Sequence, residues 1–133
     1  MAHILVVDAD TLFSALVRRA LEHKKHRVVL ATDAKTGRDR LNAETFDALV
    51  CDIILPDETG LRVLHEARGA NAAMALIAIS GGRPSGHQVP ADVANLVHTF
   101  GVDAMVNKPC ELSAVVATIE DAIERRHATS AGA

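Results

Sequence analysis

The sequence of 133 residues contains no tyrosine, no tryptophan and only two cysteines. Cys51 and Cys110 fit neither the spacing of a zinc site nor that of a redox pair, so the sequence predicts two reduced thiols. No run of about 18 apolar residues is present, which argues against a membrane span. The amino-terminal segment lacks the basic flank and cleavage site of a signal peptide, and we therefore expect a cytoplasmic protein.

The chain also lacks a strong excess of either charge. A formal net charge of −3, with no basic stripe, argues against a protein whose main task is to bind nucleic acid. The seven histidines are scattered, and the nearest pair, His23 and His26, does not have the i, i+4 spacing of helical metal ligands. We therefore assign no role to the histidines and expect proteins or small ions as partners.

Short apolar runs alternate with stretches of helical periodicity. The apolar runs have the length of strands and mostly lack a polar–apolar alternation, which is typical of strands covered on both faces. The five runs are Ile4–Val7, Val28–Ala31, Ala48–Ile53, Ala75–Ile79 and Ala104–Val106. The helical stretches are Leu12–Leu21, Ala34–Leu41, Leu61–Ala67, Val93–Phe100 and Leu112–Ile123. This alternation predicts an α/β fold with a doubly wound, five-stranded parallel sheet and five helices.

The length and the composition predict one domain. Of the 133 residues, 49% are hydrophobic, which is enough for a core without disulfide or metal support. We assign residues 1–127 to this domain and predict a disordered tail over residues 128–133. Glycine and proline are concentrated in residues 81–90, which we predict to form a flexible loop between the fourth strand and the fourth helix.

The ends of the predicted strands carry polar residues of complementary chemistry. Doubly wound sheets bind ligands at the carboxyl ends of their strands. In this sequence those ends carry Asp8, Asp10, Asp52, Ser80 and Lys108. Carboxylates hold Mg²⁺, a lysine and the cation neutralise a phosphoryl group, and a hydroxyl donates to its oxygens. Although each residue could be a helix cap or a solvated charge, their convergence favours a phosphoryl site in which one carboxylate can act as the nucleophile.

These residues lie in motifs that resemble the receiver domain of two-component response regulators, along essentially the whole chain. "ILVVD" is similar to the first strand and acidic site of that family, and "CDIILPDETG" to its phosphoacceptor stretch. "AISG" is similar to the end of the fourth strand, which bears a hydroxyl, and "NKP" to the lysine–proline pair. The resemblance implies a flavodoxin-like fold with the sheet order 2-1-3-4-5.

The resemblance also implies the roles of the site residues. Asp52 is then the phosphoacceptor, and Ser80 and Lys108 are ligands of the phosphoryl group. Asp8, Asp52 and the backbone carbonyl of Ile54 are then ligands of Mg²⁺. We further expect the side chain of Ile54 to lie at the mouth of the pocket and to hinder the water that hydrolyses the acyl phosphate.

The function implied by the resemblance is signalling. Asp52 would receive a phosphoryl group from a phosphohistidine of a histidine kinase or histidine phosphotransfer protein. The protein would then act by contact with an unidentified downstream protein, because no DNA-binding or catalytic domain follows in the sequence. We expect no partner among nucleic acids or membranes, and no enzymatic activity beyond its own phosphorylation and dephosphorylation.

Ala9 is the first departure from the family pattern. The family usually has a second acid there, which contacts the metal directly, so we expect weak Mg²⁺ binding. Asp10 is a candidate metal ligand at the next position, but it can also cap the first helix through the amide of Leu12 or Phe13. We favour the capping role.

Two further departures, Met105 and the long 81–90 loop, concern the switch. Met105 stands where the family usually places a Tyr or Phe that turns inward, so a ring rotation cannot be the readout. We therefore expect the long 81–90 loop and the fourth helix to carry any switch. As in the family, we expect the Lys108–Pro109 peptide bond to be cis, although most bonds of this type are trans.

Two other functions remain open. A pseudo-receiver would bind a partner without turning over phosphate, and both Ala9 and Met105 favour it. A phosphatase similar to the haloacid dehalogenase superfamily would use Asp8 as nucleophile, because "VVDADTL" resembles its Asp-x-Asp strand end. The sequence lacks that superfamily's later acidic pair and cap domain, however, so the phosphatase is the weaker alternative.

Overall fold

A computed structural model describes residues 1–81 and 99–131 of the chain, and side chains up to residue 128. The strands are β1 (His3–Val7), β2 (Arg27–Ala31), β3 (Ala48–Asp52), β4 (Ala75–Gly81) and β5 (Ala104–Lys108). The helices are α1 (Thr11–His23), α2 (Ala34–Ala43), α3 (Gly60–Ala70) and α4 (Leu112–Ala131). None of these helices combines the length and the apolar character that a membrane span needs.

The five strands form one parallel sheet in the order β2-β1-β3-β4-β5. The predicted flavodoxin-like architecture is therefore confirmed. Four helices fall within the described residues. Most of the predicted fourth helical stretch, Val93–Phe100, and nearly all of the predicted 81–90 loop lie in residues 82–98, outside the described part of the chain.

The sheet has a hydrophobic core on each face. Side chains alternate between the two faces of a strand, so Leu5 and Val7 of β1 belong to one core and Ile4 and Val6 to the other. The first core is closed by α2 and α3, and the second by α1 and α4. This two-sided burial is the reason that the strands read as continuous apolar runs rather than as alternating ones.

Some elements extend beyond the predicted limits. β4 and β5 continue in register to the pairs Ser80–Asn107 and Gly81–Lys108, so the predicted strand-end residues Ser80 and Lys108 lie within the sheet. Helix α4 continues to Ala131, so residues 128–131, which we predicted to be disordered, are helical. This stretch contains two alanines and no glycine or proline, which are the residues that end helices.

Candidate functional site

The predicted strand-end residues converge at the carboxyl edge of the sheet. Asp8 follows β1, Asp52 ends β3, Ser80 lies in β4 and Lys108 ends β5. Asp8, Asp52 and Ser80 are only 1%, 7% and 2% exposed, and the side chain of Lys108 is 7% exposed. Buried polar groups lose their hydrogen bonds to water, which costs free energy unless other groups replace those bonds. We therefore expect these four side chains to pair with one another or with nearby backbone groups.

Asp8 is held by its own backbone turn and by Lys108. Its Oδ1 accepts a hydrogen bond of 2.9 Å from the amide of Asp10. Its Oδ2 lies 2.7 Å from Nζ of Lys108 but has no hydrogen bond of good geometry among the described residues. A buried carboxylate oxygen in this state has lone pairs available for a cation.

Asp52 is buried, and its carboxylate is hydrogen-bonded to a backbone amide. Its Oδ1 accepts a hydrogen bond of 2.9 Å from the amide of Ile54. Burial, together with the charge of Asp8, raises the pKa of Asp52 to about 7, although the Ile54 amide and the charge of Lys108 act in the opposite direction. A cation beside Asp52 would favour its ionised form, which is the form that acts as a nucleophile.

Lys108 precedes a cis Lys108–Pro109 bond, which confirms the prediction for that peptide. Besides Asp8, its Nζ approaches Oδ2 of Asp10 at 3.6 Å and the ring centroid of Phe13 at 4.2 Å. The ring therefore contributes a cation–π contact to the ammonium. The sequence reasoning considered Phe13 only as an apolar helix position and as a possible amide donor to Asp10, and it missed the contact of the ring with Lys108.

Asp10 is the N-cap of α1. Its backbone is extended, and its Oδ1 accepts a hydrogen bond of 3.0 Å from the amide of Phe13. The capping role that we favoured is confirmed, with Phe13 rather than Leu12 as the donor. The side chain is about half exposed, in contrast to the buried Asp8.

Ser80 has a partner that the sequence reasoning missed. Its hydroxyl donates to Oδ1 of Asn107, the residue directly opposite in the β4–β5 register. Ser80 is buried, whereas Asn107 is exposed. The only sequence signal was the position of Asn107 immediately before Lys108, and it becomes informative only when the strand register is known.

The end of the β3–α3 loop packs directly against the backbone of Asp52. The carbonyl of Ile53 accepts hydrogen bonds from the hydroxyl of Thr59 at 3.2 Å and from the amide of Gly60 at 2.9 Å. A Cβ atom at Gly60 would lie 1.8 Å from the carbonyl oxygen of Asp52. Glycine is therefore required here for space, which explains why it occurs eight residues after Asp52.

Asp57 and Glu58 bind the same loop to α2. The carboxylate of Asp57 accepts hydrogen bonds from the amides of Ala34 and Lys35 at 2.9 and 3.0 Å, and the bond from Ala34 is the main cause that lowers the pKa of Asp57. Arg38 binds both oxygens of Glu58 at 2.5 and 2.6 Å. The sequence reasoning missed these contacts, which fix the loop that carries Ile54.

The oxygen ligands fit a magnesium ion that retains much of its water. Within residues 1–81 and 99–131 no group of three or more His, Cys, Asp and Glu side chains forms a metal site. Asp8 and Asp52 nevertheless offer hard carboxylate oxygens, and the buried Oδ2 of Asp8 accepts no hydrogen bond from the described residues, although Nζ of Lys108 lies 2.7 Å away. Mg²⁺ suits such a set because it commonly combines one or two carboxylates with water.

The remaining sequence predictions concern the switch. Met105 is partly buried and packs against the core formed with α2 and α3, so it has the surroundings of an ordinary core residue. The proposed switch segment after Gly81 lies almost wholly in residues 82–98, outside the described part of the chain.

The fold and the site define a class of protein. A parallel sheet in the order 2-1-3-4-5 with helices on both faces is the CheY-like, flavodoxin-type fold. A family model described as the response regulator receiver domain matches residues 4–120. The chain belongs to this family.

Individual relatives agree with this assignment. The chain is 28% identical over 127 residues to the probable transcriptional regulatory protein TcrX of Mycobacterium tuberculosis, covering 96% of this chain and 52% of TcrX. It is 30% identical over 122 residues to the response regulator MprA of the same species, covering 92% of this chain and 50% of MprA. This chain thus spans about half the length of both regulators.

A solved structure shows the same fold. The receiver domain protein (CheY-like) from Methanospirillum hungatei JF-1 superposes with a TM-score of 0.88 at 24% identity. The match covers 97% of this chain and 98% of that one.

Proposed function

We propose that this protein is a phosphoacceptor module that receives a phosphoryl group on Asp52. The observation that carries this proposal is the burial of Asp52 together with a second acid, a hydroxyl and an ammonium group at the carboxyl ends of three other strands. The donor would be a phosphohistidine of a histidine kinase or histidine phosphotransfer protein. A carboxylate oxygen of Asp52 attacks the phosphorus and the P–N bond breaks. The imidazole, which carries a proton on its other ring nitrogen, leaves as a neutral group with the bonding electrons.

The other residues would stabilise the transferred group. We assign Lys108 and Ser80 as ligands of the phosphoryl oxygens, where an ammonium and a hydroxyl donor offset negative charge. We assign Asp8, Asp52 and the Ile54 carbonyl as the ligands of a weakly bound Mg²⁺. When bound, the ion neutralises charge on the phosphoryl oxygens. Asp10 is left out of this set because its Oδ1 caps α1.

The partner surface would adjoin the pocket. Leu12 is 71% exposed in the first turn of α1, and Leu16 and Ile54 are each 41% exposed. Leu12 precedes Phe13, whose ring contacts Lys108, so this apolar surface begins beside the phosphoryl ligands. We propose that the phosphohistidine donor docks on it, that the output is another protein contact, and that the protein acts in the cytoplasm.

One observation favours a pseudo-receiver as the second candidate. The ion pair between Lys108 and Asp8, at 2.7 Å, compensates the charge of Asp8 without a metal ion. Together with the missing acid at Ala9, this pair would suit a domain that binds its partner without phosphorylation. The family match over residues 4–120 supports the phosphoacceptor module over the phosphatase alternative.

Incubation with a small phosphodonor and Mg²⁺ tests the proposal. Acetyl phosphate should produce one acid-labile phosphoryl group per chain, visible on a phosphate-affinity gel, and trapping followed by peptide mapping should locate it on Asp52. Asp52→Asn should remove it. A label on Asp8 would support the phosphatase instead. No label with small donors or with histidine donors, in a folded protein, would support the pseudo-receiver.

A further inference from the structure

The hydrogen bond between Ser80 and Asn107 uses the one proton that the serine hydroxyl can donate. Ser80 donates to Oδ1 of Asn107. A serine hydroxyl has a single O–H, so it cannot donate at the same time to a second acceptor with full strength. A phosphoryl oxygen on Asp52 is also an acceptor, and it would need the same proton.

We propose that Asn107 is a positioning residue that holds the hydroxyl of Ser80 in the unphosphorylated state and competes with the phosphoryl group for it. This inference rests on the proposed phosphoacceptor function of Asp52. Phosphorylation would replace one acceptor by another: the bond from Ser80 to Asn107 breaks, and a bond from Ser80 to a phosphoryl oxygen forms. No covalent bond changes in this step.

The strand register explains why Asn107 can act in this way. Ser80 and Asn107 are directly paired across β4 and β5, and they lie on the face of the sheet that also carries Ala78 and Met105. Lys108 is the next residue along β5 and points to the other face. The acceptor that restrains one phosphoryl ligand is therefore adjacent in sequence to the other ligand.

Release of Asn107 would change the protein surface. Ser80 is 2% exposed, whereas Asn107 is exposed on β5, the last strand of the sheet. Phosphorylation of the buried Asp52 would thus release the exposed amide side chain of Asn107, which a partner protein can contact. This transmission from Asp52 through Ser80 to Asn107 needs no rotating aromatic ring, which agrees with the presence of methionine at position 105.

Proton NMR tests the hydrogen bond without any phosphoryl group. A hydroxyl proton held by Asn107 should exchange slowly with water, and its resonance can be assigned by its loss in Ser80→Ala. We expect Asn107→Ala to remove the resonance and Asn107→Asp, which keeps an oxygen acceptor, to retain it. Retention of the resonance in Asn107→Ala would show that Asn107 does not hold the hydroxyl and would overturn the inference.

Binding of beryllofluoride, a mimic of the phosphoryl group, tests the competition. In the presence of Mg²⁺, Asn107→Ala should bind beryllofluoride about 2- to 10-fold more tightly than the parent protein, the factor that one net hydrogen bond represents. The gain should vanish in the Ser80→Ala background, because no hydroxyl is then released. Asn42→Ala, which removes an exposed asparagine on α2, is the matched control and should leave the affinity unchanged.

The outcomes separate this inference from the proposed function. A parent protein that binds beryllofluoride, with an Asn107→Ala variant that gains nothing or gains equally without Ser80, would overturn the inference alone. A parent protein that binds no beryllofluoride at saturating Mg²⁺, and takes up no phosphoryl group from acetyl phosphate, would overturn both. A gain that depends on Ser80 supports both.

Discussion

Nζ of Lys108 lies 2.7 Å from Oδ2 of Asp8, and both side chains are buried. The ammonium is thus paired with the acid of β1, while Asp52 on β3 has the backbone amide of Ile54 as its close donor. This division of partners leaves the charge of Asp52 poorly compensated in the absence of a cation, and burial raises its pKa to about 7.

The pH dependence of stability should reflect Asp52. Its pKa is about 7 in the folded protein and near 4 in the unfolded chain, so the folded state binds more protons between these values. The free energy of unfolding should therefore fall as the pH rises from about 4 to 7. Asp52→Asn should remove this fall and be more stable at pH 8 by on the order of 2–4 kcal/mol. Urea denaturation at several pH values without Mg²⁺ measures the free energy of unfolding of the parent protein and of Asp52→Asn. Parallel pH profiles of these two proteins would refute the prediction.

Restoring the missing acid should strengthen the metal site. Ala9→Asp should tighten Mg²⁺ binding and raise phosphorylation of Asp52, because Mg²⁺ binds more tightly to more carboxylates. Asp10→Ala should instead cost about 1 kcal/mol of stability through loss of the cap, and Asp10→Asn should retain that stability. Calorimetric titration and thermal denaturation measure these effects. If Asp10→Ala abolished metal binding while Ala9→Asp had no effect, Asp10 would be the real ligand.

Gly60 should not tolerate a methyl group. The added Cβ of Gly60→Ala would meet the Asp52 carbonyl oxygen at 1.8 Å, so either the loop or Asp52 must move. We expect a loss of roughly 3 kcal/mol or more and a sharp drop in phosphorylation. Gly69→Ala in the same helix is the control, since a Cβ atom at Gly69 would have no neighbour within 4 Å. It should stabilise the protein by about 0.5–1 kcal/mol, and equal effects of the two variants would contradict the steric argument.

Ile54 should slow the hydrolysis of the acyl phosphate. Its apolar side chain follows Asp52 by two residues and is 41% exposed, so it can obstruct the approach of water to the phosphorus. Ile54→Asn should shorten the half-life of the phosphorylated protein. Leu16→Asn changes an equally exposed apolar residue on α1 and should leave the half-life unchanged. Decay of the label after removal of the donor gives the rates, and an unaltered half-life in Ile54→Asn would rule out the shielding role.

Leu12 should contribute to docking of the histidine donor but not to the chemistry. Leu12→Ser should slow phosphotransfer from a cognate phosphohistidine protein about tenfold or more, because burial of a leucine side chain is worth roughly 1.5–3 kcal/mol. Labelling by acetyl phosphate should be unchanged, and Leu12→Met should behave like the parent protein. Equal losses with both donors would place the effect in the pocket instead of the docking surface.

The sequence by itself determined the five strands, the four helices within the described residues and the positions of Asp8, Asp52, Ser80 and Lys108 at one edge. These features follow from local periodicity and from the rule that parallel strands end on the same side, so they need no knowledge of side-chain contacts. The role of Asp10 as a cap was also accessible, because an N-cap depends on residues within one turn.

The tertiary structure alone decided how the polar groups pair. Asn107 meets Ser80 because of the β4–β5 register, Phe13 lies against Lys108 because of the way α1 packs, and Gly60 is required because its backbone passes over Asp52. Each contact joins residues that are distant in sequence or depends on a loop path that no local pattern encodes. The physical reason is that hydrogen bonds and ion pairs act over about 3 Å, a precision that strand order and helical periodicity do not supply.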